Sequence, residues 1–232
     1  GENVTSPTNN YAITQGTLTN ANNPNYSITW TGADFTISKR AITLTATPTS
    51  KVYNATNIGD TLAVSVTSGS IPTQANGKTV NDTLNDVAGT LTRTSGEDVG
   101  SYNVLLGTGA KAANYDISFI TTNQAFSVTP KTVTLSATKV YDGSPDLTGK
   151  VTITTGVGTE TLTYTDAAAN DAHVTTGKYI TSAIKLANGT GKASNYQLPA
   201  TLDASTAPLT ITPALLTLSL DNSPVTKVYD GT

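Results

Sequence analysis

The chain has 232 residues, a formal net charge of −3, 12% charged residues and neither Cys nor Met. Without Cys there is no disulfide, thiol nucleophile, zinc finger or iron–sulfur cluster, and a single His, His173, excludes a His-dependent triad or two-His metal site in each repeat. The acidic balance gives no basic footprint for nucleic acid, and no apolar run approaches the ~20 residues that cross a bilayer, so neither nucleic acid nor membrane insertion is expected.

The elements repeat in a fixed order. Residues 1–39 carry GENV at Gly1, YAITQGTL at Tyr11, PNYSITW around Tyr26 and FTIS from Phe35. Tyr26, Ile28 and Trp30 alternate with Ser27 and Thr29, which predicts a strand with its aromatic face, Trp30 included, in a core. Next comes a strand in which Ile42, Leu44 and Ala46 alternate with Thr43 and Thr45, followed by KVYNAT at Lys51–Thr56. Threonine on the outer face keeps a β-branched preference for extended backbone while staying wettable. Residues Thr79–Ala88 read as a short helix capped by Asp82 or Asn81. GEDV at Gly96, YNVLLGTG at Tyr102, ANYDISF with Tyr115 and FSVTP from Phe126 then close the copy.

The same order returns: Val133, Leu135 and Ala137 on a strand, KVYDGS at Lys139–Ser144, KYITSAIKL around Tyr179, SNYQLPA with Tyr196 and LTITP from Leu209. A third start, ALLTLSL and KVYDGT at Lys227–Thr232, ends the sequence. Tyr53, Tyr141 and Tyr229 stand 88 residues apart twice over. The division follows, with Pro130 and Pro213 taken as strand ends because proline lacks an N–H. Residues 1–39 are the later part of one repeat, 40–130 and 131–213 are complete repeats, and 214–232 begin another. With no initiator Met, the chain is expected to be a piece of a longer polypeptide. The expected class is all-β or β-rich: tandem small domains, each β-grasp-like or a small sandwich with at most one short helix.

Candidate chemistry is sparse. The repeat signature is Tyr53, Tyr141, Asp142, Gly143, Tyr229, Asp230 and Gly231, with Tyr26, Tyr115 and Tyr196 from the Asn-Tyr pairs. It reads as strand-end aromatics and Asp-Gly turns in which Gly supplies φ > 0. Asn54-Ala55 replaces Asp-Gly in the first complete copy. Since Ala is poor at φ > 0, that turn is expected to place Asn54 there or to use another type. Glu97 and Asp98 are adjacent and point apart on a strand, unlike a glycosidase pair. Asp82 and Asp86, with Asn81 and Asn85, are weak calcium candidates, echoed by Asp166, Asn170 and Asp171, but no D-x-D-x-D-G loop surrounds them. No cofactor is expected, and His173 reads as a solvated loop residue. The recurring Lys51, Lys139 and Lys227, beside Asn114 and Asn195, raise an amide cross-link of the kind some bacterial stalks use, though no acid recurs with them.

YAITQGTL, NPNYSITWTGADFTI and KVYDGT, in this order, resemble the YDG/MBG-type repeats of large bacterial surface adhesins, filamentous-haemagglutinin-like and exported by two-partner secretion. The departures are Asn54-Ala55 for Asp-Gly and Ala214 where Lys131 stands. The resemblance implies an extracellular location, at the bacterial cell surface or secreted, and a role in cell adhesion or biofilm. It supplies no catalytic residue. The expected function is therefore a non-catalytic stalk, an elongated rod of about 35–40 Å per module, whose partners are neighbouring repeats. The alternative is a binding module for a glycan or matrix polymer using Tyr11, Tyr102 and Tyr179 with avidity. The incomplete ends are expected to dock on a complete repeat or to pair between molecules.

Overall fold

In the computed structural model, residues 3–4, 11–72, 74–75, 78–79, 81–121, 125–219 and 226–231 are described. The landmark at Gly1 and residue Val80 of the expected helix lie outside them. The chain divides into two compact units, 1–129 and 130–232, with the boundary between Thr129 and Pro130. Among the described residues the structure is β-rich with one short α-helix, as expected of the class.

In the first unit a long strand is broken at Pro48 into Arg40–Thr47 and Thr49–Val52. Each half joins a different sheet. Arg40–Thr47 runs parallel to Tyr115–Ile120, pairing Tyr115 with Arg40 and Phe119 with Leu44, and antiparallel to Ala63–Ser68. Thr49–Val52 runs parallel to Phe126–Thr129, which also pairs antiparallel with Gly100–Tyr102. The period-2 pattern is realised: Ile42, Leu44 and Ala46 are buried while Thr43 and Thr45 are half-buried. Ile42 and Leu44 pack with Val87, Ala88 and Tyr115. Full burial of such an aliphatic side chain is worth about 1.5–3 kcal/mol.

The helix is Leu84–Ala88, and its cap is Thr83 rather than Asp82 or Asn81. Thr83 Oγ1 accepts from the Asp86 N–H while Asp86 Oδ2 accepts from the Thr83 N–H, a reciprocal capping box. Asp82 is diverted because its carboxylate has stronger partners elsewhere, Lys111 and Tyr115.

The second unit repeats the logic. Lys131–Thr132 pairs parallel with Tyr196–Gln197, and Thr134–Val140 lies between Val151–Thr154 and Leu209–Thr212, antiparallel to the first and parallel to the second. Leu162–Thr165 and Lys185–Asn188 form a separate antiparallel pair. Val133, Leu135, Leu147, Ile180 and Ile184 fill the core. A 3-10 turn precedes the Asn-Tyr strand in both units, at Ala112–Asn114 and Ala193–Asn195.

The incomplete repeat at 1–39 keeps part of the pattern. Tyr11–Ile13 pairs with Ala33–Phe35, Tyr11 opposite Phe35, the register that Tyr102 and Phe126 use. The expected core face of Tyr26, Ile28 and Trp30 does not form: Tyr26 is 73% exposed and Trp30 45%. Tyr115 finds a parallel partner at Arg40. Among the described residues Tyr26 has no such strand partner, and the Ile28 backbone bonds instead to the Asn20 side chain. Docking is seen at residues 3–4: the Val4 N–H donates to Asn114 Oδ1, and the Asn114 amide donates to Asn3.

Candidate functional site

The recurring residues gather at the end of each lysine-bearing strand. In the second unit Leu135, Ala137 and Lys139 share the inward face of one strand, so the lysine ends an apolar row and is buried. A buried ammonium needs acceptors for its three protons. Lys139 Nζ donates to the carbonyls of Ser144 at 2.8 Å and Asp146 at 2.9 Å and pairs with Asp142 Oδ1 at 2.7 Å. Asp142 Oδ1 also accepts from the Ser144 N–H, and Gly143 takes φ 78°. The lysine thus reaches beneath its own turn and holds it shut. Its hydrogen bond to Asp142, followed by the Ser144 N–H, keeps that carboxyl below the usual Asp value.

Lys51 does the same through the carbonyl of Thr56, the counterpart of Ser144. Asn54 Oδ1 accepts from the Thr56 N–H as Asp142 does from Ser144. Ala55 itself sits at φ 59°, so the expectation that the turn would avoid this is overturned. The geometry of the lysine overrides a local penalty of about 1–2 kcal/mol. At Lys227 and Asp230 the pair persists at 3.2 Å, with Gly231 at φ 76°, while Tyr229 is exposed.

Lys51 has further partners. Its Nζ lies 2.5 Å from Asp60 Oδ1 and 3.5 Å from Glu97 Oε2. Arg93 completes the cluster, with Nε 2.5 Å from Asp60 and its Nη2 on both Glu97 oxygens. Burial pushes the Asp60 carboxyl up, and hydrogen bonds from Lys51 and Arg93 outweigh it, so it is held below its ordinary value. The guanidinium lies 4.5 Å from the Tyr102 ring centroid and 5.2 Å from that of Phe126. An open cleft runs alongside, lined by Leu62, Val64, Leu84 and Leu91, but the charged groups on its rim are paired with one another.

The Asn-Tyr tyrosines form a second recurrence. Tyr115 and Tyr196 are buried, and each hydroxyl donates to a carboxylate at 2.7 Å, Asp82 in one copy and Glu160 in the other. Burial, then the bond to Asp82, pushes the Tyr115 phenol up to about 12. Tyr26 has no such burial.

The remaining candidates are placed as follows. Asp82 accepts from Lys111 at 2.6 Å, and Asp86 is taken up by Thr83, so the two weak calcium candidates face donors and build no oxygen cage. Asp166 pairs with Lys185, and Asp171 with Lys178 and His173. Among the described residues no group of three His, Cys, Asp or Glu side chains comes together to hold a metal. Lys51 and Lys139 contact turn carbonyls and acids, while Asn114 bonds to Val4 and Asn3. Tyr53 is buried and Tyr141 is 38% exposed, its ring 6.4 Å from that of His173. Of the three tyrosines named for ligand binding, Tyr102 has one ring face covered by Arg93.

A further recurrence marks this site in the sequence: GTG precedes the Asn-Tyr pair in both complete copies, at Gly107–Gly109 and Gly189–Gly191. A Cβ on Gly109 would lie 2.1 Å from the Asp86 carbonyl oxygen, and one on Gly189 2.4 Å from that of Thr161. These glycines let backbone meet backbone beside the tyrosine site.

Comparison with known families agrees with this recurrence. Residues 42–127 match the MBG domain (YGX type), and residues 122–205 match the YDG domain. No curated protein and no solved structure matches the chain.

Proposed function

With an MBG domain followed by a YDG domain as its premise, we propose that this chain is a non-catalytic spacer segment of a secreted or surface-anchored bacterial adhesin. Its task is to project a distal binding region for cell adhesion or biofilm formation. One observation carries the reading. In each complete copy the strand that carries the recurring lysine runs parallel to the last strand, Thr49–Val52 with Phe126–Thr129 and Thr134–Val140 with Leu209–Thr212. A chain that enters at the start of one strand and leaves at the finish of a parallel neighbour exits at the opposite end of the domain. Antiparallel termini would return it to the same end. Copies joined in this way extend by about 30–40 Å each, the rise of ten to twelve strand residues. The buried lysines, capping box and tyrosine–carboxylate pairs all serve internal structure, which supports a mechanical rather than a chemical role.

The second reading, a glycan or matrix-polymer module, draws on the cleft beside Arg93 and on half-buried Tyr179. A glycan and matrix-polymer binding array with the full chain separates the two. The spacer predicts no saturable binding. Saturable binding that is lost in Tyr102→Ala or Tyr179→Ala would replace it with the binding module.

A further inference from the structure

We infer that each complete copy contains a shear-loaded mechanical clamp, made of its lysine-bearing early strand and its last strand, which lets the chain bear tension along its length. The use of the clamp rests on the spacer reading; the clamp itself follows from the strand pairing alone.

The two clamps are built alike. Thr49, Ser50, Lys51 and Val52 face Phe126, Ser127, Val128 and Thr129 in parallel; Ala137, Thr138, Lys139 and Val140 face Leu209, Thr210, Ile211 and Thr212. Both ladders are closed at the same two points. At the entry, the Thr49 N–H donates to Ala125 O at 2.8 Å and the Ala137 N–H to Pro208 O at 3.0 Å. At the exit, the Tyr53 N–H donates to Thr129 O and the Tyr141 N–H to Thr212 O, both at 2.8 Å. A side chain adds a further link across the exit: the Thr129 hydroxyl donates to Lys51 O at 3.1 Å, and the Thr212 hydroxyl to Lys139 O at 3.4 Å. The recurring Lys-Val-Tyr and the Thr-Pro landmark are thus the two jaws of one device.

Direction of load decides its strength. Tension applied through the chain on either side pulls the lysine-bearing strand backward and the last strand forward, along their common axis. Every bond of the ladder is then strained at once, and none can open before the others. Pulling the same strands apart sideways opens the bonds one at a time, each worth only about 0.5–1.5 kcal/mol net. Resistance to force is governed by the barrier to unfolding, not by the equilibrium free energy. The lysine strengthens the jaw by tying the end of its strand to the turn beyond it.

Single-molecule force spectroscopy on the full chain tests this. The sequence holds no Cys, so introduced cysteines give unique handles. Pulled from its two ends, the chain should show two high-force unfolding events. Handles at Thr134→Cys and Ala204→Cys, both exposed and each a few residues ahead of its paired stretch of the second clamp in sequence, load that ladder sideways. The second unit should then open at a force several-fold lower. Thr212→Val should lower the end-to-end force of one event and leave the circular dichroism spectrum unchanged. Equal forces in the two directions, or an end-to-end force as low as the sideways one, would overturn the clamp. High end-to-end force in a particle that scattering shows to be compact would leave the clamp standing and remove the spacer.

Discussion

Lys139 donates from Nζ to the carbonyl of Ser144 at 2.8 Å, five residues along its own chain. The bond turns a solvent-seeking cation into the internal post of a turn. Lys139→Met keeps the stem but strands the Ser144 and Asp146 carbonyls without their donor. The second unit should lose about 1–3 kcal/mol, read as a lower urea midpoint. An unchanged midpoint would mean that the Asp142-Gly143 turn holds itself.

The turns of the two copies make an opposed pair of predictions. Ala55 sits at φ 59°, where Gly is at ease, and Gly143 sits at φ 78° with open space where a Cβ would be. Ala55→Gly should therefore stabilise the first unit by about 1 kcal/mol, and Gly143→Ala should destabilise the second by about the same amount. Thermal unfolding of the two variants should move in opposite directions.

Acid sensitivity follows from Asp60. Its folded-state pKa is depressed, burial being more than offset by hydrogen bonds from Lys51 and Arg93. Such a group contributes stability that is present above its unfolded value, about 3.9, and is lost as pH falls through the lower folded value. The first unit should lose stability below about pH 4. Asp60→Asn should be less stable at neutral pH and change less through the acid window, measured as urea midpoints against pH. An equal acid slope in the variant would show that other carboxylates carry it.

The same cluster bears on covalent chemistry. Amide formation between Lys51 and Asp60 needs a neutral carboxyl and a free amine, and Arg93 holds the carboxylate ionised at 2.5 Å. The intact mass of the full chain should equal the sequence mass. A deficit of one water would show that the cross-link forms.

Much of the fold was legible, because strand alternation is a direct consequence of the pleat. Ile42, Leu44, Val133 and Leu135 were readable as core from spacing alone. The fate of Tyr26 was not, since the same pattern is buried at Tyr115 only where a parallel strand arrives from elsewhere in the chain. The lysine site was visible as a recurrence but not as a contact. Its acceptors are mostly backbone carbonyls, which leave no mark in side-chain identity. The tyrosine partners Asp82 and Glu160 lie in the variable middle of the copies, so their shared role emerges only when the strands bring them under the ring. Likewise Thr83 wins the cap from Asp82 because Asp82 is already bound to Lys111.

Small-angle X-ray scattering of the full chain tests the spacer most directly. Two copies set end to end predict a maximum dimension of at least about 60–80 Å and a radius of gyration well above the ~17 Å of a compact globule of this length. A radius of gyration near that compact value would contradict the account.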